Sequence, residues 1–83
     1  MGWYSGIRVI SNAEPRRGAK VTIEFSGIIG TIGSAHTDSE GWAKFDYPNI
    51  DKYSMAVDRI WIDGKQVDGA GTLDRGETRS YSL

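Results

Sequence analysis

Ser34, His36 and Asp38 stand two apart along the chain and are the residue types of a nucleophile, a general base and an orienting acid. His36 is the sole histidine, so any relay of this kind must pass through it. Alternation along a strand would place all three on one face. Neighbours on that face are about 6.5 to 7 Å apart, however, and a nucleophile must come within about 3 Å of its base. The stretch therefore reads as a solvated strand beside a turn, and no catalytic residue is assigned. The chain has no cysteine, which removes thiol nucleophiles, thiolate metal ligands and a disulfide framework together. Asp38-Ser39-Glu40-Gly41 supplies only a fragment of a calcium loop, so neither a metal nor a cofactor is expected. Gly27, Gly30 and Gly33 recur every third residue, but a dinucleotide loop needs another spacing between a strand and a helix, and a P-loop needs a lysine.

Binding is better supplied than catalysis. Ile28, Ile29 and Ile32 lie among those glycines, and they either tuck beneath the fold or form an exposed apolar patch of the kind that marks a protein partner. Three tryptophans and four tyrosines are many for 83 residues. If Ala43 and Phe45 face a core, Trp42 faces out; if Ile60 and Ile62 do, so does Trp61. Exposed indoles stack sugar rings or anchor protein interfaces. Indoles on neighbouring strands can instead pack on each other and cover a sheet face. Lys and Arg number 10 and Asp and Glu 11, a net charge of −1 with the signs interspersed. Arg16, Arg17 and Lys20 form only a small basic cluster, so a nucleic-acid partner is not expected. No stretch approaches the roughly 18 apolar residues of a membrane span, so membrane insertion is not expected either.

The elements that must position these residues are strands. Apolar residues recur at a period of two almost throughout, and no window keeps the i, i+3, i+4, i+7 pattern of an amphipathic helix. Strands are expected at Trp3 to Ser11, Lys20 to Phe25, Ser34 to Asp38, Trp42 to Tyr47, Ser54 to Ile62, near Gln66-Val67, and at Thr78 to Leu83, where Tyr81 and Leu83 would share a face. In Lys20-Val21-Thr22-Ile23-Glu24-Phe25 every odd residue is apolar, so a one-residue slip would bury Lys20 and Glu24. Asp38 to Gly41 has the residues of a type I turn and predicts a hairpin into Trp42. Asp63-Gly64 predicts a two-residue hairpin. The alternation of the fifth strand stumbles near Asp58, with Ala56, Ile60 and Ile62 otherwise inward, and a bulge or an edge position would account for that. Seven short strands with turn signals about every 8 to 12 residues predict an all-β sandwich or small barrel, one domain over residues 1–83.

Pro15 followed by Gly18-Ala19-Lys20-Val21-Thr22-Ile23, then Thr37-Asp38-Ser39-Glu40-Gly41-Trp42-Ala43-Lys44-Phe45, then Ile62-Asp63-Gly64-Lys65 and Gly76-Glu77, resembles the carboxypeptidase regulatory-like, or transthyretin-like, sandwich. Bacterial immunoglobulin-like repeats are similar. The resemblance runs from about Ile7 to Leu83 and rests on turn and core positions, so it speaks to fold more than to function. It implies a seven-stranded antiparallel β-sandwich, transthyretin-like or immunoglobulin-like, serving as a non-catalytic accessory or protein-interaction module. A carbohydrate-binding module using Trp42 and Trp61 is the alternative. Such modules mostly belong to extracellular or periplasmic proteins, which would be the location if the chain is part of a larger secreted one; a complete chain would be cytoplasmic. Transthyretin-related hydrolases of hydroxyisourate share the sandwich and use paired histidines, an arginine and a C-terminal Tyr-Arg-Gly-Ser. This chain has one histidine and ends Arg79-Ser80-Tyr81-Ser82-Leu83, so a site built on His36 and Arg79 departs from that pattern.

Overall fold

Alternation in the first strand decides where the core lies. In the computed structural model, which describes residues 2–26 and 32–83, β1 (Trp3–Ser11) buries Trp3, Ser5, Ile7 and Val9 and turns Tyr4 and Arg8 outward. It is the centre of one sheet. β5 (Trp42–Tyr47) runs antiparallel along one side of it, pairing Trp3 with Tyr47 through Arg8 with Trp42. The two-residue β2 (Glu14–Pro15) continues that side at Ile10 and Ser11. Along the other side lies β9 (Thr78–Ser82), parallel to β1, from Gly6 with Thr78 to Ile10 with Ser82.

The second sheet is built on β3 (Lys20–Phe25) and β6 (Ser54–Ile62), which pair antiparallel; β4 (Ile32–His36) flanks β3. β7 (Lys65–Asp68) and β8 (Gly71–Asp74) follow one another along the far side of β6. The two sheets pack face to face as a β-sandwich. Val21, Ile23 and Phe25 of β3, Met55, Val57, Ile60 and Ile62 of β6, and Leu73 of β8 meet Trp3, Ile7, Val9, Ala43 and Phe45 from the first sheet. Trp3 is the largest side chain in the core. Its ring stacks on Tyr47 with centroids 5.9 Å apart and meets the edge of Phe25 at 5.6 Å, while its Nε1 donates to the Leu73 carbonyl at 3.1 Å. An indole buried this deeply needs such an acceptor.

Several expectations are corrected. Nine strands form among the described residues, with Glu14–Pro15 and Gly71–Asp74 added to those expected. One pairing, β1 with β9, is parallel rather than antiparallel. The third expected strand forms at Ile32–His36 rather than Ser34 to Asp38. Asp38 to Gly41 does form its turn, closed by the Gly41 N–H to the Asp38 carbonyl at 3.0 Å. That turn carries the chain from one sheet to the other, so β4 and β5 are not a hairpin. In β6 the stumble is a bulge: Val57 pairs with Phe25 and Arg59 with Glu24, leaving Asp58 over. Met55 and Val57 therefore point inward before it and Ile60 and Ile62 after it, while Ala56 faces out. Tyr81 packs against the core, but Leu83 is exposed.

Two tight hairpins among the described residues show what a turn residue costs. Asp63 and Gly64, at φ 50° and 82°, make the expected two-residue turn. Asn12 and Ala13 make the other, at φ 53° and 64°. A left-handed conformation costs an L-residue with a Cβ roughly 1 to 2 kcal/mol, and glycine favours the second position of such a turn. Ala13→Gly is accordingly expected to raise stability by about 1 kcal/mol, read as a higher urea midpoint at unchanged slope; an unchanged or lower midpoint refutes it.

Candidate functional site

The residues best equipped for catalysis are engaged elsewhere or stand apart. The Ser34 and Thr22 hydroxyls share a hydrogen bond of 3.2 Å. His36 lies exposed on β4, opposite Lys20 of β3. Asp38 turns its Oδ1 to the backbone N–H groups of Glu40 and Trp42, at 2.9 and 3.0 Å. The Trp42 amide above all, then the Glu40 amide and the Lys44 charge, hold this carboxyl below its ordinary pKa against a desolvation effect in the other direction. Its job is the turn. The three side chains make no relay.

Arg79 lies away from His36, because it contacts β7 and β8, at the end of the second sheet opposite β4. Its Nε donates to Glu77 at 2.9 Å and its Nη2 to the Thr72 carbonyl at 2.6 Å, and its Nη1 lies 3.5 Å from Asp68. The Tyr81 hydroxyl donates to the same Asp68 carboxylate at 2.6 Å. This cluster fastens the last strand to β7 and β8 across the sandwich. Burial first, then the Asp68 carboxylate, push the Tyr81 hydroxyl up from 10.0 to about 12. A raised acid is stabilising while protonated, so its contribution is whole below about pH 10 and disappears as pH rises from 10 to 12. Tyr81→Phe is expected to lower stability at neutral pH and to remove that part of the alkaline loss. Thermal unfolding midpoints on both sides of this window check it; an alkaline loss as steep as in the parent chain refutes it.

The two expected binding tryptophans lie on opposite outer faces, Trp42 on the sheet of β1 and Trp61 on the sheet of β6. They neither pack on each other nor form one platform. The Trp61 Nε1 donates to the Glu24 carboxylate, which also pairs with Arg59 at 3.3 Å. Ile32 is exposed at the start of β4; Ile28 and Ile29 lie outside the described residues.

Trp42 has different company. Register places three rows of side chains on the outer face of its sheet: Tyr4 with Asp46, then Gly6 between Lys44 and Thr78, then Arg8 with Trp42. Gly6 leaves the middle of this face without a side chain, and the indole leans over the gap. A Cβ on Gly6 would stand 3.2 Å from Cε3 and 3.3 Å from Cζ3 of Trp42. The Arg8 guanidinium lies 5.6 Å from the indole centroid and donates from Nε to the Glu40 carbonyl at 3.1 Å. At the other end Tyr4, 52% exposed, lies beside Gly76, whose N–H donates to the Tyr4 carbonyl at 2.8 Å. Between the two rings opens a groove of about 600 Å³, within the roughly 300 to 1,000 Å³ of small-molecule sites. Neither the Lys44 ammonium nor the Asp46 carboxylate makes a hydrogen bond or ion pair among the described residues.

Tyr4, Gly6, Lys44, Asp46 and Thr78 complete a site of which sequence reasoning named only Trp42. A signal existed in part, since the phase that sends Trp3, Ile7 and Val9 inward sends Tyr4 and Gly6 outward. Which strands lie beside them is a matter of long-range pairing. Among the described residues no cluster of three or more His, Asp or Glu side chains is placed to hold a metal ion, and no helix is long and apolar enough to cross a membrane. No family model matches the chain, and no curated protein matches it.

Proposed function

We propose that this chain is a non-catalytic accessory or interaction module, a sandwich of the transthyretin-like type, whose working surface is the outer face formed by β1, β5 and β9. The observation that carries the reading is the groove between Tyr4 and Trp42, set against a Ser34, His36 and Asp38 set that makes no relay. The type is supported by connectivity. β2 prolongs the line of β5, and β7 and β8 share a line beside β6, so the nine strands occupy seven lines, three in one sheet and four in the other. With β2 counted into the line of β5, the chain passes from its first line, β1, to its second, β3, in the other sheet, whereas an immunoglobulin sandwich keeps its first two strands in the same one.

The test is an assay of hydrolysis against hydroxyisourate and activated esters. The expected result is no turnover above buffer and no difference between the parent chain and His36→Ala or Arg79→Ala. Turnover that disappears with either substitution overturns the non-catalytic reading.

A further inference from the structure

Resting on that binding-module reading, we propose that the groove between Tyr4 and Trp42 is a seat for a short, uncharged oligosaccharide.

Size is the first ground. A standard protein partner covers about 800 Å² on each side, nearly a sixth of the 4953 Å² this chain exposes. A groove of about 600 Å³ instead has the dimensions of a small-molecule site. Rows two residues apart on a strand are separated by about 6.5 Å, so the Tyr4 and Trp42 rows are roughly 13 Å apart with the bare Gly6 row between them. The lean of Trp42 over Gly6 shortens that gap. An extended ligand of a few linked rings fits such a span; a single small ring reaches only one wall.

Charge is the second ground. Lys44 and Asp46 follow each other on the outer side of β5, and their opposite charges offset each other at the groove. An anionic or a cationic ligand would gain from one and be repelled by the other. A ligand bearing hydroxyl groups is served by both, since a hydroxyl donates to the carboxylate and accepts from the ammonium. Thr78 adds a group of either sense beside Gly6. The Lys44 ammonium in the middle row and the Asp46 carboxylate beside Tyr4 are thus a donor and an acceptor along the groove, and a sugar presents the matching combination of apolar ring faces and hydroxyl edges.

Rigidity is the third. Arg8 above the indole, Gly6 beneath its edge, and Asp38 bonded to its backbone N–H hold Trp42 in place before any ligand arrives. A side chain ordered in advance loses little entropy on binding.

Amide and indole chemical shifts should be followed while cello-, xylo-, malto- and chito-oligosaccharides are added to roughly millimolar concentration. At least one series should shift Gly6, Trp42, Lys44 and Thr78 together. Trp42→Ala should weaken that binding about tenfold or more. Trp42→Phe should recover part of it, Asp46→Asn should weaken it several-fold, and Trp61→Phe should leave it unchanged. Retained shift dispersion in each variant shows that it is folded. Binding that is indifferent to Trp42, or shifts gathered around Trp61, overturns the proposal. A set of apolar dipeptides run in parallel separates two kinds of failure. If dipeptides move the groove amides and saccharides do not, the saccharide assignment falls and the binding surface stands; if neither does, both fall.

Discussion

Trp3→Ala is expected to lower the unfolding midpoint by roughly 20 °C and to leave a substantial unfolded fraction at physiological temperature. A domain of this size holds only about 4 to 12 kcal/mol of net stability. Truncating a fully buried tryptophan costs about 3 to 5 kcal/mol, partly in lost transfer free energy and partly in the cavity that remains. Trp3 is 0% exposed and holds three things at once: the stacked face of Tyr47, the edge of Phe25, and the Leu73 carbonyl. Those partners come from β5, β3 and β8, so the cavity opens where the two sheets meet and cannot close by a shift of one loop. Trp3→Phe keeps most of the apolar volume and is expected to lose markedly less. Urea unfolding followed by circular dichroism measures both. A loss below about 1 kcal/mol for the alanine variant would show that the site collapses around the gap.

Gly41→Ala is expected to cost about 2 to 5 kcal/mol, for two separable reasons. Its φ of 84° is left-handed, which charges an alanine roughly 1 to 2 kcal/mol. In addition, a Cβ there would stand 2.7 Å from the Val9 carbonyl oxygen and 3.2 Å from Pro15 Cβ. That oxygen is already bonded by the Arg16 N–H at 2.9 Å, and the Val9 N–H donates to the Gly41 carbonyl at 2.8 Å. The backbone on both sides is therefore pinned and has no room to give. Gly64 supplies the control, because its φ is 82° and a Cβ there meets nothing within 4 Å. Gly64→Ala should show the conformational cost alone, about 1 to 2 kcal/mol. Equal losses in the two variants, measured by thermal unfolding, would eliminate the contact at Val9 as a cause.

Local patterns carried the fold as far as they encode burial. The odd residues of Lys20 to Phe25 are buried as alternation requires, and Asp63-Gly64 forms its turn. The stumble at Asp58 is a real bulge. Its phase was not legible, because one inserted residue reverses the inward face, and the pattern leaves open whether Ala56 or its neighbours lie inside. Gly71–Asp74 has one buried apolar residue, Leu73. It is a strand through its pairing with β6 rather than through propensity. The turn at Asp38 to Gly41 was visible, but a change of sheet is decided by partners distant in sequence. The site followed the same division. That Trp42 and Trp61 turn away from the core could be read from alternation, whereas their placement on opposite faces, and the company of Tyr4 and Gly6 at Trp42, needed the pairing of β1 with β5.

The parallel alignment of β1 with β9 gives the molecule a direction under load. Both strands run the same way, so the start of β1 and the end of β9 lie at opposite ends of their shared ribbon. Tension applied at those two points slides one strand lengthwise along the other. The five register positions from Gly6 with Thr78 to Ile10 with Ser82 then bear the force together instead of opening one after another. The Arg79 cluster ties β9 to the second sheet across the sandwich. The sandwich is thus braced against being drawn out from its ends, and a peeling force on either edge would meet far less resistance.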